Sequence, residues 1–147
     1  MRRFLLLPIL ALSLTAQPAD RPKAEALVKE GLSFLKTHGK EAFIAEVQNG
    51  SGRFHFRQDH PLYLFAYDTK GITLAHGATP KAAGINRWMM KDPDGKLLIQ
   101  EIIQVAQKKG GGWVDYKFPN PTSNKVEAKT SFCLAEGGVV IGCGIYK

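Results

Sequence analysis

Apolar residues recur at Leu27, Val28, Gly31, Leu32, Phe34 and Leu35, which lie on one helical face and predict a helix over Ala24 to about Thr37. Gly39 interrupts that pattern, and Phe43, Ile44 and Val47 resume it in a shorter helix over Glu41 to Gln48. The turn cluster "NGSGR" (Asn49 to Arg53) closes the helical part. The period then changes. Leu62 to Tyr67 is a dense apolar and aromatic strand, "DTKG" is a tight turn, and Ile72 to His76 is the return strand. Gly71 supplies the left-handed residue that a short loop needs. Alternation along a strand points Ile72, Leu74 and His76 the same way, which puts an imidazole on a buried face. Two readings are open: a core histidine satisfied by one backbone carbonyl, or a ligand contact.

Ala78 to Asp94 is irregular, broken by Pro80, Gly84 and Pro93, and too long for an ordinary connection. Leu97, Leu98, Glu101, Ile102 and Val105 repeat at helical spacing until Gly110 to Gly112 stop the helix. "GWVDYKF" alternates as a strand, "PNPTSN" is a loop, and Val126 to Ala135 with Val139 to Tyr146 makes a closing hairpin. Helices and strands are segregated along the chain. The expected class is therefore α+β, with a central antiparallel sheet of five or six strands. The helices are expected on one face, with the other open or covered by the long loop.

At 147 residues the chain makes one compact domain. Its start, "MRRFLLLPILALSLTAQPADRP", has the layout of a secretory signal peptide over residues 1–19, with cleavage after Ala16 or Ala19. The apolar run is shorter than the roughly 20 residues that span a bilayer. The mature protein, a single domain over residues 22–147, is then expected to be periplasmic or secreted. The formal net charge of +7 falls by two when Arg2 and Arg3 leave with the leader. Basic residues are scattered, so the stripe that nucleic acid requires is missing, whereas a modest positive balance suits a small anionic ligand.

Cys133 and Cys143 are the only cysteines, in a chain expected to mature where disulfides form. A three-residue loop at Gly137 to Val139 sets them opposite each other; a two-residue Gly137-Gly138 turn offsets them by one. A disulfide and two small buried apolar residues are both open. The cluster His55, Asp59 and His60 fits no common zinc spacing, and "DPDG" lacks the terminal glutamate of a calcium loop. No metal or other cofactor is expected. Ser131 and Cys133 stand near Lys129, but nothing forms a nucleophile elbow, and a small hydrolase using His76 is the minority reading.

The blocks "YLFAYDTKGITLAHG", "GIN", "KDPDGKLLIQEIIQVAQKKGGGWVDYKFPNP", "AKTSF" and "GVVIGCGIY" resemble, in order and spacing, successive blocks of the single Cache domain, second type. They cover about residues 25 to 147. The resemblance implies a PAS-like fold, with a long N-terminal helix and a sheet that cups a small ligand. It also implies an extracytoplasmic sensing role without chemistry, for a small carboxylate or similar metabolite. A membrane receptor or kinase and a second copy of the chain, as a homodimer, are the protein partners it suggests. The alternative is an interaction module with a vestigial pocket. Carried over block by block, the pocket draws on Tyr63, His76, Asn86, Trp88, Trp113, Tyr116 and Lys129. An ammonium, an imidazole N–H and a phenol can replace the hydration of a carboxylate, and flat aromatic walls select its size. Trp113 and Tyr116 share a face only if a bulge lies between them. Tyr67 is a second phenol on the face of Tyr63, and Arg87 is a potential carboxylate clamp to which no arginine of the family pattern corresponds. Gly77 stands where that pattern has proline.

Overall fold

The computed structural model describes residues 20–147; the expected leader over residues 1–19 lies outside them. Helix α1 (Asp20–His38) breaks at Gly39, whose φ of 86° suits only glycine, and α2 (Lys40–Gln48) follows at once. Then come β1 (Leu64–Asp68), β2 (Thr73–His76), a 3-10 turn at Pro80–Ala82, α3 (Leu98–Ala106), β3 (Gly112–Asn120), β4 (Lys125–Glu136) and β5 (Val139–Tyr146). The five strands form one antiparallel sheet in the order β2-β1-β5-β4-β3. The class is α+β, and among the described residues no helix is long and apolar enough to cross a membrane.

The helices do not share one face, as the sequence pattern suggests; they cover both. Leu27, Val28, Phe43 and Val47 of α1 and α2 pack on Leu64, Ala66, Phe132, Ile141 and Cys143. Leu98, Ile99, Ile102 and Ile103 of α3 pack on the opposite side, against Tyr67, Val114, Tyr116 and Val140. The reason is that β1, β4 and β5 are apolar at both odd and even positions, so neither face can be left to water. Burying one such aliphatic side chain contributes roughly 1.5–3 kcal/mol, which makes the α3 stripe enough to hold that helix down.

A second departure lies in the β1–β2 hairpin. Ala66 pairs with Ala75 but Tyr67 pairs with Thr73, so Leu74 is an extra residue. This bulge breaks the alternation. Leu74 joins the α1 side of the sheet, while His76, opposite Phe65, looks to the α3 side.

The closing hairpin decides the cysteines. Gly137 and Gly138, with φ of 54° and 77°, form the two-residue turn that matches strand twist. Glu136 then pairs with Val139, and Cys133 with Gly142 rather than with Cys143. One residue of offset sends the two sulfurs to opposite faces. The disulfide expected as one alternative is therefore absent, and both cysteines are free and buried.

Candidate ligand site

The α3 side of the sheet carries an aromatic floor. Tyr63 and β1's Phe65 and Tyr67 face it, as do Tyr116 and Phe118 of β3. Across β5 that face holds Gly142 and Gly144, where a strand would ordinarily place side chains. A Cβ at Gly142 would collide with the Phe65 ring, and one at Gly144 with the Lys129 side chain. The two glycines thus open a channel over β5. Through it Lys129, rooted on β4, reaches Tyr63 two strands away.

Lys129 is 1% exposed. Its Nζ donates to Tyr63 Oη at 2.9 Å and lies 4.7–5.9 Å from the ring centres of Tyr63, Phe65, Tyr116, Phe118 and Tyr146. Hydrogen-bond direction here is forced, since an ammonium only donates and a carbonyl only accepts. Lys129 donates to Tyr63, Tyr63 to Tyr146 Oη at 3.3 Å, and Tyr146 to the Pro119 carbonyl at 2.6 Å. The Tyr63 hydroxyl proton is consumed within that chain. Among the described residues no ion pair includes Lys129. Burial holds its pKa below the usual lysine value, and the neighbouring Tyr146 hydroxyl offsets that only in part.

His76 sits among Tyr63, Phe65 and Phe118, with ring centres 5.3, 6.3 and 6.0 Å away. Its Nδ1 accepts the backbone N–H groups of Ala78 at 3.3 Å and Thr79 at 3.0 Å. That fixes the tautomer, so the proton is on Nε2. Burial first, then the charges of Lys129 and Arg87, pull its pKa down to about 3. The imidazole is neutral at physiological pH and presents one N–H donor. The satisfied-core reading is half right: the backbone does hold the ring, but through its N–H groups, and the donor nitrogen remains.

The rest of the floor is polar but neutral. Tyr116 Oη and Ser131 Oγ are hydrogen-bonded at 2.8 Å. Burial raises the Tyr116 pKa, and pushes that of Tyr67 up to about 12. A small anion entering here would meet one cation and one imidazole N–H against aromatic walls. That is a chemistry suited to recognising an anion.

Of the residues expected in the pocket, the structure brings together Tyr63, His76, Tyr116 and Lys129. It does not bring in the others. Trp113 lies on the opposite face, packed on Phe132, with its Nε1 donating to Glu25 of α1 at 3.2 Å and Arg21 over its ring. No bulge interrupts β3, so the alternation puts Trp113 and Tyr116 back to back. Trp88 is 38% exposed on the loop, and Asn86 uses its Oδ1 to accept the Trp88 N–H at 2.9 Å. Phe65, Phe118 and Tyr146 join instead. The first two were visible as same-face partners of Tyr63 and Tyr116, but Tyr146 depends on the β4–β5 register, which pairs it with Lys129.

Two grooves border this cluster. One of about 230 Å³ runs between the Asp92–Lys96 turn and the β3 edge and touches Tyr116 and Lys129. The other, about 620 Å³, lies on the α1 side between Leu27, His60, Leu62 and Ile145, and reaches the cluster only at Gly144 and Tyr146. Size alone does not single out the site; the buried cation and its donors do. Elsewhere, His55 Nδ1 faces the Val47 carbonyl and Asp59 pairs with Arg57, and among the described residues no three metal-ligating side chains converge.

The family profile of single Cache domain 2 matches residues 38–147. The chain is 32% identical over 92 residues to the methyl-accepting chemotaxis protein McpP of Pseudomonas putida, covering 61% of this chain and 17% of that one. It is 35% identical over 86 residues to the sensor histidine kinase MctS of Rhizobium johnstonii, covering 57% and 18%. The chain thus spans under a fifth of the length of these two relatives. The periplasmic sensor domain of a chemotaxis protein superposes with a TM-score of 0.75 at 26% identity, over 90% of this chain and 99% of that one. On fold and on sequence alike, the chain belongs to the single Cache domain 2 family of sensor domains.

Proposed function

We propose that this domain is an extracytoplasmic sensor that binds a small carboxylate without chemistry and reports its occupancy to a membrane receptor or kinase. One observation carries the reading: Lys129 is fully buried beside a neutral imidazole N–H, with no carboxylate paired to it among the described residues. A buried ammonium without a counter-ion is unfavourable in the empty protein and is relieved by an anion. The chemotaxis and kinase relatives support the signalling half of the reading, and the periplasmic neighbour supports the compartment.

A thermal-shift panel of short monocarboxylates, dicarboxylates, amino acids and amines tests it. An acid held at 100 times its dissociation constant stabilises the domain by about 2.7 kcal/mol. Such a shift for acids, absent for amines and lost in Lys129→Met, is expected. A flat response across the panel would leave the domain as an interaction module with a vestigial pocket.

A further inference from the structure

Arg87 has no counterpart in the motif blocks above, yet the long loop delivers it to the same face. The segment is pinned along the outer edge of β2. Gly84 N–H donates to the Thr73 carbonyl at 2.8 Å, Thr73 N–H to the Ile85 carbonyl at 2.9 Å, and Arg87 N–H to the Gly71 carbonyl at 2.8 Å. Gly71, at φ +87°, lies so close that a Cβ there would stand 2.9 Å from Trp88 Cα. The backbone at Arg87 is therefore held in place.

From that anchor the half-buried side chain turns inward. Nη1 is buried and, among the described residues, has no hydrogen-bond partner. The guanidinium charge acts on both Tyr67 and His76. Like Lys129, Arg87 is in no ion pair among the described residues. The two cations mark the two ends of one aromatic row. Lys129 Nζ lies between the Tyr63 hydroxyl, at 2.9 Å, and the Phe65 ring, 5.3 Å from its centre, and Arg87 acts on Tyr67, the next residue along the same face. His76 lies between them, opposite Phe65.

This arrangement has consequences for the ligand. A monoanion would neutralise one cation and leave the other without a counter-charge, which is costly where water is scarce. A guanidinium with an unused N–H is the side chain best shaped to grip a carboxylate. We propose that Arg87 is a specificity-determining contact, which holds the second carboxylate of a short dicarboxylate whose first carboxylate meets Lys129 and His76. The inference rests on the carboxylate-binding reading above.

Calorimetric titration of the wild type and Arg87→Gln with ligand pairs of equal chain length, propionate against malonate and butyrate against succinate, separates the two claims. The wild type is expected to bind at least one dicarboxylate about tenfold or more tightly than its monocarboxylate partner. Arg87→Gln is expected to remove that preference while changing monocarboxylate affinity less than about threefold. If the glutamine variant does not fold, Arg87→Lys, which keeps the charge and loses the fork, is expected to keep only part of the preference. A wild type that binds monocarboxylates better, or a folded variant that retains the full preference, overturns the role of Arg87 and leaves the carboxylate reading standing. A wild type that binds no acid overturns both.

Discussion

Replacing Lys129 with methionine should make the ligand-free domain more stable and at the same time blind to acids. Methionine keeps the length of the side chain that lies over Gly144, and its sulfur makes favourable contacts with aromatic rings. The substitution removes an ion that is 1% exposed and has no carboxylate partner among the described residues. Burying such an ion costs several kcal/mol, while each ring contact returns about 0.5–2 kcal/mol. Burial lowers the lysine pKa, so the folded state disfavours the proton relative to the unfolded chain. Tyr63 Oη keeps Tyr146 as a partner after the change, so no buried hydroxyl is orphaned. A gain of about 1–3 kcal/mol follows, which for a domain of this size is roughly 3–10 °C in Tm. The sign in pH is also set. Between the lowered folded pKa and 10.5 the unfolded chain binds more protons, so wild-type stability rises with pH there, and the variant should lose that rise. Urea unfolding across pH, with and without acid, measures all three effects. A loss of more than about 1 kcal/mol with acid binding intact would refute the reasoning and make Lys129 a structural residue.

His76→Asn keeps an acceptor for the Ala78 and Thr79 N–H groups but does not titrate. The wild-type histidine, at about 3 folded and 6.5 unfolded, contributes stability above pH 6.5 that is lost as pH falls towards 3. In that window the wild type should lose up to about 1.4 kcal/mol per pH unit more than the variant, as read by urea midpoints. Equal slopes would mean His76 is not buried neutral. Gly144→Ala should displace Lys129, destabilise by about 1–3 kcal/mol and weaken acid binding; unchanged affinity would show that the channel over β5 is not used. Both thiols should resist a thiol reagent in the native state and react fully in denaturant without reductant, whereas a protein silent in denaturant would carry the disulfide after all.

Much of this domain could be read along the chain. Helical and strand periodicity and the segregation of helices from strands gave the α+β class; ordered blocks such as "LAHG" and "AKTSF" carried the family. His76 and Lys129 stood out because each is a polar group in an otherwise apolar or small setting. What remained hidden was relative placement. Period-two alternation tells which residues of one strand share a face, but one extra residue reverses it. Leu74 did so in β2, and the one-residue offset across Gly137-Gly138 parted the cysteines. Both sheet faces are apolar, so periodicity could not tell which of them α3 would cover. The irregular loop has no period at all, so the chain alone did not show where the side chains of Asn86, Arg87 and Trp88 would lie relative to the sheet. The chain alone determined which local elements form and which residues carry charge. Only the tertiary structure brought Lys129 across Gly144 to Tyr63 and left its ammonium without a counter-ion among the described residues, because pairing and register are set by long-range packing that no local pattern encodes.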